Sequence, residues 1–151
     1  MARKINQHRR RAAGVRRFSG EAYLDTSAFI AFLDKSDSFH PLFKRLFAES
    51  SGLVTSALVV SEAHGWFLRR YDRHRAMDFL TFLNVLPDLA VQPFDATELS
   101  AVRSILARFS DQSLTLADAH GLAIMKTRRT AICWSTDRHL GLTGVKLAIA
   151  T

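Results

Sequence analysis

The chain has 151 residues, 48% of them hydrophobic and 23% charged, with a formal net charge of +7. That length allows one domain with a sizeable core, while a single cysteine, Cys133, excludes an intramolecular disulfide and no apolar run reaches the ~18 residues of a membrane span. Seven of the 21 basic residues (Arg3, Lys4, Arg9, Arg10, Arg11, Arg16, Arg17) lie in residues 1–20, which hold no acid; the other 14 balance the 14 acids that follow.

The basic pI therefore describes a leader, residues 1–20, and not the body, residues 21–151. The leader lacks the apolar stretch and cleavage site of a secretory signal. A flexible arm for RNA phosphates, a transit peptide, a disordered tail and a misassigned start all fit its composition. With neither a secretory signal nor a disulfide, a cytoplasmic location is expected, with no membrane association.

In chain order, residues 22–25 read as a buried strand ending in an acid, and a short helix follows over 27–33. Phe39, Phe43 and Phe47 recur at i, i+4, i+8 in a helix expected over 38–50. A strand over 52–55 leads into a helix that Thr55 or Ser56 can cap and that runs to about 71; another helix, 72–86, stops at Pro87. After a third strand, 90–94, Asp95-Ala-Thr-Glu98 has capping-box spacing and opens a helix to about 109. The loop 110–115 is polar, and Thr115-Leu-Ala-Asp118 starts a helix ending at Lys126, Arg128 and Arg129. A strand over 131–135, a turn over 137–142 and a fifth strand over 145–150 complete the pattern.

Strands apolar on both faces and separated by helices imply an α/β fold, a mostly parallel sheet covered by helices on both sides. Such sheets bind ligands at the carboxyl ends of their strands, where Asp25 and Asp137 fall. On the helix from Ser56, Glu62 points between Leu58 and Trp66, into the expected apolar face, too far along to serve as a cap. An inward carboxylate needs a buried arginine or a metal ion. Asp118 is explained equally well by a capping box with Thr115, and Asp25 and Asp137 by caps on the turns that follow them. Taken together, however, four acids from distant parts of the chain converge on one sheet edge. Their mutual repulsion calls for a divalent counter-charge, Mg²⁺ or Mn²⁺, which can also acidify a water and offset charge on a phosphate. Ser27, Ser135 and Thr136 are placed to hold carboxylates or waters.

Three acid-x-His pairs, Glu62/His64, Asp118/His120 and Asp137/His139, offer a rival zinc or iron reading. Residues two apart on a helix point roughly 200° from each other, so such a pair does not readily share an ion. The histidines are expected at the surface or the core edge.

Tyr23-Leu-Asp25-Thr-Ser27, Ser61-Glu62, Leu114-Thr-Leu-Ala-Asp118-Ala119 and Ser135-Thr-Asp137-Arg-His-Leu140 resemble the PIN domain, and most of all its VapC-type toxin branch. The match runs from about Tyr23 to Ala150 in the family's order and spacing. The resemblance implies a three-layer α/β/α sandwich around a five-stranded parallel sheet, a homodimer, and Mg²⁺- or Mn²⁺-dependent cleavage of RNA. It places Asp25, Glu62, Asp118 and Asp137 in the family's acidic quartet, with Asp111 peripheral. It also implies a small antitoxin that blocks the site, often through a basic residue set among the acids. Two features depart from the family: the basic leader, and Leu140 where an aromatic is common. The phenylalanine stripe and the apolar positions of 72–86 read as core, with a dimer or antitoxin groove as the alternative.

A haloacid-dehalogenase-like phosphatase would need a second acid where Ser27 stands, and a response-regulator receiver needs a lysine after its last strand. A non-catalytic PIN-like module that binds RNA or protein remains the alternative to an enzyme.

Overall fold

A computed structural model of the chain describes residues 20–150; the expected leader, Gly20 apart, lies outside the described residues. Three short apolar runs form the middle of the sheet. Strands β1 (Ala22–Leu24), β2 (Leu53–Ser56) and β4 (Ile132–Trp134) are buried at every residue, as strands covered on both faces must be. With β3 (Leu89–Gln92) and β5 (Lys146–Leu147) at the edges, the order is β3-β2-β1-β4-β5 and every pairing is parallel. Strand β1 therefore sits centrally, with Tyr23 in register with Val54 on one side and Cys133 on the other.

Helices α1 (Thr26–Leu33), α2 (His40–Glu49), α3 (Ala57–Arg70) and α4 (Arg73–Val85) pack together, while α5 (Ala96–Arg108) pairs with α6 (Leu116–Arg128). Side-chain caps fix most of their starts. Ser56 accepts from the Leu58 N–H, Asp72 from Arg75, and Asp95 from both Thr97 and Glu98, each satisfying a donor the first turn leaves unpaired. Helix α6 ends where Arg129 turns left-handed, at φ 51°. None of the described helices is long and apolar enough to cross a membrane.

The core between α1–α4 and the sheet is aromatic. Phe29 meets Phe79 edge-on at 5.4 Å, Phe32 lies 4.5 Å from Phe47, and Phe47 reaches Trp134 on β4 at 5.1 Å. Of the phenylalanine stripe, Phe43 is fully buried and Phe47 half-buried, so these belong to the core; Phe39, at the N-cap of α2, is 37% exposed. Leu140 is fully buried, so the missing aromatic leaves that position packed.

Two expectations need correction. The fifth strand is only Lys146–Leu147, and residues Ala148–Ala150 turn into a 3₁₀ segment with Ala148 buried. An apolar run of that length buries itself in either form. At Asp95, only half of the expected capping box exists, because the Glu98 carboxylate bonds to His120 on α6 instead of to the helix start.

Candidate active site

Asp25 follows the last residue of β1 and stands at the N-cap of α1, yet its side chain makes no capping bond. Its Oδ2 instead accepts from the hydroxyls of Ser27, at 3.0 Å, and Ser135, at 2.8 Å. The two hydroxyls also organise the chain leaving β4: the Thr136 N–H donates to Ser27 Oγ and the Asp137 N–H to Ser135 Oγ, both at 2.9 Å. The parallel pairing of β1 with β4 makes this possible, since it sets Leu24 opposite Trp134 and so brings the ends of both strands to one place. Asp25 is 7% exposed. Burial pushes its carboxyl above the ordinary range, and the bonds from Ser135, the Thr26 backbone and Ser27 oppose that rise only in part. The capping explanation for Asp25 therefore fails; Ser27 and Ser135 hold its carboxylate, whereas Thr136 joins them only through its backbone N–H.

Glu62 corrects a second expectation. It is exposed, not directed into the apolar face, and its Oε2 accepts from Thr26 Oγ1 at the start of α1. The buried face of α3 is made by Val59, Ala63 and Phe67, while Leu58 and Trp66 are only half-buried. That rotation leaves Glu62 on the flank of the helix. Among the described residues no arginine forms an ion pair with it.

Asp118 does build the capping box with Thr115, and it lies half-buried in the first turn of α6. Asp137 caps the 3₁₀ turn Arg138–Gly141, accepting from the His139 N–H at 2.9 Å; the His139 ring nitrogen Nδ1 also approaches its Oδ1 at 3.0 Å. This pair does meet, because a tight 3₁₀ turn replaces the α-helical geometry that would have separated it. Asp111 is exposed in the loop before α6, bonded to Gln112.

The four acids share one electrostatic neighbourhood. Asp118 raises the pKa of Asp25, and Asp25, Asp118 and Glu62 all add to burial in holding the Tyr23 phenol well above its usual value. Asp25 and Asp137 act likewise on the buried Cys133 thiol, again after burial itself. Tyr23 lies beneath Asp25 on the same face of β1, against α6, where Gly121 alone permits the approach: a Cβ there would stand 2.7 Å from the Tyr23 hydroxyl. Among the described residues, that hydroxyl is the one buried side-chain polar atom without a hydrogen-bond partner.

Among the described residues no lysine or arginine pairs with the four acids; His139 is the only basic side chain that meets one. Nor do three or more His, Cys, Asp or Glu close into a ready-made ligand cage among those residues. The donor set is all oxygen and its charge is left uncompensated. That chemistry fits a hard divalent cation that keeps several of its waters, with Asp25, Glu62, Asp118 and Asp137 as the groups able to hold it. Zinc or iron is the poorer fit, because His120 is engaged elsewhere and His139 is tied to Asp137.

His120 also departs from its expected place at the surface or core edge. It is fully buried, with Nδ1 2.6 Å from Ser56 Oγ, Nε2 3.1 Å from Glu98 Oε2, and its ring edge-on to Phe94 at 5.0 Å. The available signal was helix α6 itself, apolar or small on nearly every face from Ala119 to Met125, as a fully covered helix is. A separate cavity of about 430 Å³ opens between the end of α1 and the α3–α4 turn, lined by Leu33, Phe67, Tyr71, Arg75 and Phe79, and contains none of the four acids.

Solved structures share this architecture. VapC20 of Mycobacterium tuberculosis, a sarcin-ricin-loop-cleaving toxin, superposes with a TM-score of 0.75 at 21% identity, covering 83% of this chain and 96% of its own. PAE2754 of Pyrobaculum aerophilum gives 0.58 at 16% identity, covering 89% and 93%. VapBC2 of Rickettsia felis, bound to a DNA fragment from its promoter, gives 0.58 at 14% identity, covering 83% and 96%. Among curated proteins none matches the sequence. Residues 22–145 match the PIN domain, a span that begins at β1 and takes in all four acids, and the chain belongs to the PIN-domain family.

Proposed function

We propose that the chain is a divalent-metal-dependent endoribonuclease, the toxin of a type II toxin–antitoxin pair, using Asp25, Glu62, Asp118 and Asp137 to hold Mg²⁺ or Mn²⁺. The observation that carries this reading is Asp25: a buried carboxylate whose side chain makes no capping bond, meets no basic side chain among the described residues, and is held by two serine hydroxyls at the carboxyl edge of the central strand. Family membership and the fold shared with VapC20 and VapBC2 support it.

When bound, such a cation supplies positive charge against a phosphodiester and makes a water more acidic. The chain's own residues supply placement. Ser27 and Ser135 fix the Asp25 carboxylate by two hydrogen bonds, leaving it little freedom to rotate. Thr26 orients Glu62 toward the start of α1, and the capping box with Thr115 holds Asp118 through Oδ2 alone. The substrate class is RNA. The partners proposed with it are a small antitoxin and a second copy of the chain, in the cytoplasm.

Purified protein incubated with mixed RNA tests the reading. Cleavage with Mg²⁺, lost with EDTA and lost in Asp25→Asn, supports it. RNA binding without cleavage would identify a non-catalytic module.

A further inference from the structure

Ser56, His120 and Glu98 form a chain of hydrogen bonds across three elements: Ser56 ends β2 and caps α3, His120 lies on α6 and Glu98 on α5. The order resembles a hydrolytic triad, but Ser56 and His120 are both fully buried, so no substrate reaches the hydroxyl. The proton positions follow from the contacts. The Glu98 carboxylate can only accept, which puts the proton of the neutral ring on Nε2, so Nδ1 accepts from the Ser56 hydroxyl, whose oxygen in turn accepts the Leu58 N–H at 3.0 Å.

The two helices joined by the Ser56–His120 bond are those that carry two of the acids. Glu62 stands on α3, which Ser56 caps, and Asp118 stands two residues before His120 on α6. Neither acid bonds the other, and each is fixed locally by a threonine, Thr26 for Glu62 and Thr115 for Asp118. The 2.6 Å bond is a buried polar tie between their helices, whose other contacts are few. A bond in a dry interior has one good geometry and is costly to break. Resting on the metal-site reading above, we infer that His120 is a positioning residue, which sets the spacing between Asp118 and Glu62 through its bond to Ser56, while the Glu98 bond serves stability.

The test is Mn²⁺ affinity of the full chain without RNA, read from free Mn²⁺ by electron paramagnetic resonance, beside melting temperatures in EDTA. His120→Ala should weaken Mn²⁺ binding by about tenfold or more, the usual cost of losing a group that orients a metal ligand. His120→Asn, whose Oδ1 takes the place of Nδ1 and accepts from Ser56, should bind like the wild type. His120→Gln, which reaches Glu98 instead, should bind as poorly as the alanine variant. Val102→Ala, a cavity in the core beside α5, should lower the melting temperature and leave Mn²⁺ affinity alone. Equal affinity in wild type and His120→Ala overturns the assignment, as does affinity that follows melting temperature through every variant, Val102→Ala included. If His120→Ala does not fold, the Asn and Gln variants decide, and equal affinity in those two overturns it. Failure of the wild type to bind Mn²⁺ overturns the metal-site reading, and this inference with it.

Discussion

Thr115 and Asp118 bond each other twice: the Asp118 N–H donates to Thr115 Oγ1 at 3.1 Å, and the Thr115 N–H donates to Asp118 Oδ2 at 2.9 Å. One carboxylate thus starts α6 with one oxygen and has a second to offer. The two roles separate by substitution. Asp118→Ala should cost about 1 kcal/mol of stability through the lost cap. Asp118→Asn, which keeps an acceptor, should cost less, and both should abolish cleavage. Thermal melts and an RNA-cleavage assay read the two effects; activity surviving in the asparagine variant would confine Asp118 to the helix start.

Glu62 is exposed, and its replacement relieves no burial cost. Glu62→Gln should leave stability within about 0.5 kcal/mol of the wild type, as surface changes do, while removing cleavage. A large fall in denaturation midpoint would mean that the Thr26 contact matters for folding.

Asp25 gives a pH signature in metal-free protein. Burial raises its pKa in the folded state above the ordinary 3.8, so the folded state prefers the protonated acid. Stability contributed by this group is present at low pH and is lost as pH rises from 3.8 through the folded pKa. Asp25→Asn should therefore melt a few degrees higher than the wild type at neutral pH in EDTA, with the difference closing on acidification. Added Mg²⁺ should raise the melting temperature of the wild type and not of the variant. A variant less stable at neutral pH would sink this account.

His120 has the opposite sign. Burial lowers its pKa from 6.5, with Glu98 opposing, so the folded state prefers the neutral ring. Its contribution is complete above 6.5 and is lost as pH falls from there through the folded pKa. Denaturant midpoints should decline over that window, and His120→Asn should flatten the decline. An unchanged slope in the variant would assign the acid sensitivity to other groups.

Much of this molecule was legible because β1 and β4, at the middle of the sheet, are short and apolar throughout. A run such as Ala22–Leu24 or Ile132–Trp134, closed by an acid or a serine and followed by a helical pattern, has few other readings. Asp25 and Asp137 could be named from such punctuation, while Glu62 and Asp118 are named from their places on helices. What failed was orientation. Glu62 is expected in the core because it falls between Leu58 and Trp66, but the packing of α3 buries Val59, Ala63 and Phe67 instead, and that small rotation about the axis carries the side chain from core to flank. Glu98 and His120 failed for a related reason: each had a satisfactory local explanation, a cap for one and a surface place for the other, and each is taken by a partner on another element. Local rules describe what a residue can do with its neighbours in sequence, and they are silent when a distant group makes a better bond.

The order of the sheet also has a consequence in time. The central strand β1 precedes one of its neighbours, β4, by most of the domain, and the Ser135 hydroxyl that steadies Asp25 lies 110 residues downstream. During translation the first carboxylate must wait for the final one. A nascent or prematurely ended chain that stops before Ile132 has neither the strand that flanks β1 nor Asp137. The candidate site can assemble only after both Ile132–Trp134 and Asp137 have been made.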